Sequence, residues 1–118
     1  MADPRHSLGQ RAESLVCDHL AARGYAIVAR NVRVGRREID IVAVRRDLIV
    51  FCEVRARTSL AFGSPLESID AKKIANVRHA AREGLAERGL RGRALRFDVA
   101  AVVFEDPDGR IEYVEDAF

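Results

Sequence analysis

Tryptophan is absent from this 118-residue chain, cysteine occurs twice, proline three times, and only two of the 20 basic residues, Lys72 and Lys73, are lysines. Each shortage narrows the reading. Cys17 and Cys52 fall in a predicted helix and a predicted strand without CxxC spacing, so neither a disulfide framework nor a thiolate metal site is expected. The histidines His6, His19 and His79 form no HxxxH or His/Cys cluster, which removes zinc-type ligation; His19 reads as a core histidine of the first helix. No Gly-x-Gly-x-x-Gly, Walker loop or Gly-x-Ser-x-Gly elbow occurs, which argues against nucleotide cofactors and serine-hydrolase chemistry. No apolar stretch approaches the roughly 20 residues of a membrane-spanning helix, and Met1 to His6 hold no apolar signal core. A cytoplasmic protein with no membrane partner is the expectation. With no Pro/Gly/Ser linker, residues 1–118 are expected to form a single domain, with 1–6 as a flexible lead-in and 105–118 as an acidic turn and edge strand.

Charge, by contrast, is abundant and unevenly placed. The net charge is +2, yet residues 105–118 carry six acids against one base, Arg110, so the preceding body is strongly basic. A basic body suits a polyanion such as nucleic acid, and equally describes a solvated arginine-rich surface. Arg33, Arg36 and Arg37 lead into an acid-bearing strand and Arg57 follows the next one; these four are the candidate nucleic-acid contacts.

The element order reads α-β-β-β-α-β-β. Ser7-Leu8-Gly9-Gln10 fits a capping box, Leu8, Ala12, Leu15, Val16 and Leu20 recur at helical spacing, and Gly24 supplies a stop. Tyr25 to Val34, Arg37 to Val44, Leu48 to Arg55, Ala94 to Phe104 and Arg110 to Val114 read as strands, and a second helix is expected from about Glu67 or Asp70 to Arg88. A helical crossover between the third and fourth strands predicts that these two run parallel. The class is α/β: a mixed sheet covered by helices on one or both faces. Asp98 in Arg96-Phe97-Asp98-Val99-Ala100 is an acid within a strand expected to be buried, either hydrogen-bonded to a neighbour or close to the site, and the structural role is the expectation.

Two acids stand out. A symmetric hairpin with a loop of two residues (Arg46, Asp47) or four (Arg45 to Leu48) sets Asp40 opposite Glu53 and Glu38 opposite Arg55, all projecting from one face. Carboxylates about 5 Å apart repel by about 3 kcal/mol at an effective dielectric near 20, so a shared proton, arginines or a divalent cation must offset them. Glu13 lies at the edge of the apolar stripe of the first helix, as a boundary glutamate or as a group leaning over the sheet. Lys73 lies near the inner side of the second, as a snorkelling lysine or as a cation reaching the acids. Oxygen ligands of this kind suit Mg²⁺ or Mn²⁺ and a substrate phosphate.

Asp40, twelve intervening residues, then Glu53-Val54-Arg55 resembles the PD-(D/E)XK nuclease motif with arginine in place of its usual lysine. Gly9-Gln10-Arg11-Ala12-Glu13, Asn31-Val32-Arg33, Glu38-Ile39-Asp40-Ile41-Val42, Phe62-Gly63-Ser64-Pro65, Lys72-Lys73 and Arg96-Phe97-Asp98-Val99 extend the likeness, and the chain resembles the YraN-like family of bacterial proteins. That resemblance implies a restriction-endonuclease-like three-layer αβα sandwich, akin to Holliday-junction resolvases, and a Mg²⁺- or Mn²⁺-dependent nuclease acting on DNA in preference to RNA. It implies Glu13, Asp40 and Glu53 as metal ligands, with Arg55 and Lys73 completing the catalytic set. A homodimer would follow from the likeness to resolvases, with an exposed edge strand as the interface. Arginine at position 55 cannot deprotonate water, so it acts electrostatically, or Lys73 substitutes for the missing lysine, or the domain binds nucleic acid without cutting it.

Overall fold

The computed structural model describes residues 4–34, 37–58, 75, 78, 79, 82, 83, 94–105 and 108–117. Helix α1 spans Pro4–Ala22, and five strands follow: β1 Ala26–Val34, β2 Arg37–Arg45, β3 Leu48–Arg57, β4 Ala94–Val103 and β5 Arg110–Val114. Their spatial order is their chain order, β1-β2-β3-β4-β5. The first three form an antiparallel meander, β3 and β4 run parallel, and β5 returns antiparallel beside β4, as the crossover argument requires. Of the expected second helix, Ala75, Arg78, His79, Arg82 and Glu83 are described and helical; Lys73 and the rest of that prediction lie outside the described residues.

Helix α1 starts at Pro4 instead of following a Ser7 cap. Proline fits a first helical turn because the amide it lacks has no helical acceptor there. Ala12, Val16 and Leu20, four residues apart, are buried and face the sheet. The helix ends as Gly24 foretold: φ is +88° at this glycine, its amide donates to the Ala21 carbonyl at 3.1 Å, and the Tyr25 amide reaches the Leu20 carbonyl at 3.1 Å. This is the paired C-terminal bonding that a left-handed residue permits.

The sheet is apolar on both sides. Val50 and Cys52 of β3 pack with Ala12, Val16 and Leu20 beneath α1, whereas Ile49 and Phe51 point the other way into a second cluster with Ile39, Val42 and Phe97. Phe51 and Phe97 stack there at 5.5 Å, and the Arg78 guanidinium lies 5.5 Å over the Phe97 ring. Every residue from Phe97 to Val103 is buried, the signature of a strand covered on both faces. Two covered faces about a mixed sheet agree with the expected layered α/β class.

Asp98 is the one buried charged residue among those described. It accepts from Arg96 Nε at 2.9 Å, Arg96 Nη2 at 2.9 Å, the Tyr113 hydroxyl at 2.5 Å and the Asp116 amide at 2.9 Å. Arg96 Nη2 also donates to the Tyr25 hydroxyl at 2.8 Å. The hydrogen bonds to Asp98 raise the Arg96 pKa further above its already high range, and burial pushes the Tyr113 phenol upward, so both remain donors. The structural role expected of Asp98 is thus observed. Replacing it with asparagine keeps the shape but leaves Arg96 only the exposed Glu115 carboxylate, 3.6 Å away, as a counter-charge. Urea unfolding of Asp98→Asn should show a loss of about 3–5 kcal/mol relative to the parent protein, and a loss below about 1 kcal/mol would show that the network contributes little.

Candidate active site

The β2–β3 hairpin closes through Arg46 and Asp47, with Arg45 opposite Leu48, and the pairing continues without slippage to Ile41 opposite Cys52. This is the register expected from the sequence. Arg46 takes φ +56°, a left-handed conformation that costs a non-glycine residue about 1 kcal/mol. The paired register ends at Ile41 and Cys52, one step before Asp40 and Glu53. Beyond it the Val54 amide donates to Asp40 Oδ2 at 2.8 Å, so a side chain takes the place of a strand partner.

The neighbouring strand shows why. In the β1–β2 ladder Arg30 pairs with Ile41 and Val32 with Ile39, which leaves Asn31 beside Asp40. Asn31 has φ +52°. Ile39 and Ile41 should share a face in a regular strand, yet they pack in opposite clusters. The backbone therefore twists at Asp40 and directs its carboxylate toward β3. This corrects the expectation that Asp40 and Glu53 simply project side by side: Asp40 bridges the two strands, and Glu53 pairs with Arg55, Oε1 to Nη2 at 3.1 Å.

Glu13 approaches from α1. It is half-buried, and its buried Oε1 has no hydrogen-bond partner among the described residues. Its charge is felt at Asp40, whose pKa is pushed up to about 6, first by burial and then by Glu53, Glu13 and Glu38, against the opposing hydrogen bond from Val54. Four carboxylates thus share one electrostatic neighbourhood. Glu38, Ile39, Asp40, Phe51, Cys52 and Glu53 line a shallow hollow at this point. The donors are hard oxygens, the type that Mg²⁺ and Mn²⁺ take, and the uncompensated Glu13 oxygen together with the raised Asp40 pKa fits a place for a cation. Among the described residues, no three His, Cys, Asp or Glu side chains stand close enough to hold a metal ion as they are.

The basic residues are more scattered. Arg33 is exposed on β1, paired in register with Glu38, and Arg57 is exposed at the far end of β3. Arg37 pairs through its backbone with Val34 on β1; Arg36 and Lys73 lie outside the described residues. The sequence reading missed Asn31. Its signal was an asparagine amid β-branched residues, a type depleted in strands and among those most tolerant of positive φ.

The raised Asp40 pKa has a definite sign for stability. The folded state holds this proton more tightly than the unfolded chain, where an aspartate titrates near ~3.9, so ionising Asp40 erodes stability as pH rises from about 4 through about 6. Asp40→Asn keeps an acceptor for the Val54 amide and removes the charge. Urea unfolding in EDTA should therefore show the variant more stable by about 2 kcal/mol at pH 7.5 and no more stable at pH 4; an equal difference at both pH values would refute the assignment.

Residues 12–102, a span that includes Glu13, Asp40, Glu53, Arg55 and Asp98, match the family described as "Uncharacterised protein family UPF0102". A UPF0102 protein of Moorella thermoacetica is 42% identical over 120 residues, covering 100% of both chains. Another from Sorangium cellulosum is 45% identical over 121 residues, 99% of this chain and 84% of its own length. One from Anaeromyxobacter dehalogenans is 41% identical over 116 residues, 98% of this chain and 87% of that protein. A match that runs through the helix, the meander and the buried Asp98 strand alike shows that this chain belongs to UPF0102, the YraN-like family.

Proposed function

We propose that this protein is a Mg²⁺- or Mn²⁺-dependent nuclease that hydrolyses phosphodiester bonds in DNA, with structured or branched DNA as its substrate. The supporting observation is the placement of Asp40 between parted strands, its pKa raised by burial and by Glu53, Glu13 and Glu38. Glu13, Asp40 and Glu53 would hold the metal, which when bound polarises the phosphodiester and makes water a nucleophile near neutral pH. The Val54 amide fixes one Asp40 oxygen. Arg55 remains protonated and supplies donors to the charge that develops on the phosphate oxygens, and it takes no proton from water. Its contact with Glu53 positions both groups on the same stretch of β3. Lys73 is proposed as a second cation, and Arg33, Arg36, Arg37 and Arg57 as contacts to the phosphate backbone. An edge strand is the proposed surface for a homodimer.

A second reading is a nucleic-acid-binding domain without cleavage. The Glu53–Arg55 ion pair favours it, because Arg55 itself supplies a counter-charge to one of the three acids. Purified protein incubated with duplex, single-stranded and four-way-junction DNA, with and without Mn²⁺, separates the two. The nuclease reading expects Mn²⁺-dependent cleavage that Asp40→Asn abolishes and that Arg55→Gln lowers by about 10²-fold. If the parent protein cuts no better than Asp40→Asn, catalysis is ruled out. Salt-sensitive binding retained in that variant would then establish the second reading.

A further inference from the structure

At the hairpin end of the sheet, away from Glu53, a cleft of about 600 Å³ is lined by Arg23, Arg45, Arg46, Asp47, Leu48 and Ala94. Leu48 and Glu53 are both on β3, and at about 3.3 Å per residue the separation along the strand is roughly 16 Å. Among the described lining residues the charged side chains are Arg23, Arg45, Arg46 and Asp47.

Two of these arginines are fixed in place. Arg23 Nη1 donates to the His19 carbonyl at 3.1 Å, and Arg45 Nη1 to the Arg23 carbonyl at 3.0 Å. Those carbonyls belong to the C-terminal end of α1, whose partial negative charge would otherwise repel an anion. The Arg45 guanidinium also lies 4.3 Å over the Tyr25 ring, and Arg96 lies 5.6 Å from the same ring. Neither Arg23 nor Arg45 forms an ion pair among the described residues. Each guanidinium carries five N–H donors, of which the observed bond occupies one.

We propose that this cleft is a phosphate-binding site, distinct from the acid cluster and independent of metal. Held, uncompensated guanidinium forks match the bidentate geometry of phosphate oxygens, and their orientation is set before any ligand arrives. The phosphate is presented either by a nucleic-acid strand or by a small phosphate compound.

Backbone-amide NMR in EDTA tests this with metal-dependent cleavage suppressed. A 5′-phosphorylated single-stranded oligonucleotide and sodium pyrophosphate are titrated separately. Saturable shifts are expected at Arg23 and from Arg45 to Leu48 with at least one probe, and Arg23→Gln and Arg45→Gln should each weaken that binding about tenfold or more. Arg45→Gln also removes the stack on Tyr25, so the exposed Arg23→Gln decides the matter if Arg45→Gln melts earlier than the parent. Tighter binding of the oligonucleotide assigns the site to a nucleic-acid backbone; pyrophosphate bound equally well or better assigns it to small phosphates. Absence of shifts at these amides with both probes, or parental affinity in Arg23→Gln, overturns the proposal. Asp40→Asn should bind as the parent does, so failure of the nuclease reading and failure of this one give different results.

Discussion

The buried Asp98 carboxylate is where separate parts of the chain are made to agree. Through Arg96, Tyr113 and the Asp116 amide it joins β4, β5 and the turn that follows, and through Arg96 it reaches Tyr25 just beyond the end of α1. An ionised group without water is costly unless every oxygen is supplied with donors, and here four bonds from three residues do so. Because Tyr25 follows the Gly24 cap directly, the network also anchors the point at which α1 stops and β1 begins. The position of Glu13 over the sheet depends on that anchor. The acid cluster is thus held by two devices of different range: a distant polar network that seats the helix, and a local bond from Val54 that seats Asp40.

Much of this was legible in the sequence because it rests on short-range periodicity. Alternation in β2 and β3, with two turn residues between them, leaves a single register that buries both apolar sets, and that register is observed. The stripe Ala12, Val16, Leu20 and the Gly24 stop follow equally from helical geometry. What could not be read is the break at Asp40. A left-handed Asn31 has no periodic signature, and its effect appears on a different strand from its cause. The donors of Asp98 were hidden for a related reason: Tyr25 and Tyr113 are distant in sequence from Arg96, and nothing local marks the three as neighbours.

The preference for arginine over lysine has different consequences at Arg55 on β3 and at Arg45, the last residue of β2. At Arg55 it places beside Glu53 a guanidinium that can donate hydrogen bonds but accept none. At Arg45 the planar guanidinium stacks on Tyr25 while donating to a carbonyl, a combination a lysine ammonium would not reproduce. One compositional bias therefore limits the chemistry at one site and stiffens the other.

The irregularity of β1 has a further effect. As the first strand of the sheet it has, among the described residues, no strand partner along its outer edge, nine residues long, the length and position at which flat strands recruit copies of themselves. The register shift between Ile27 and Ala29 turns Val28 outward as an extra residue, half exposed, and three positions later Asn31 twists the chain again. Two such bends break the edge into short pieces that cannot template a continuous ladder. The kink that turns Asp40 toward β3 is, on the outer side of the same strand pair, a safeguard against aggregation.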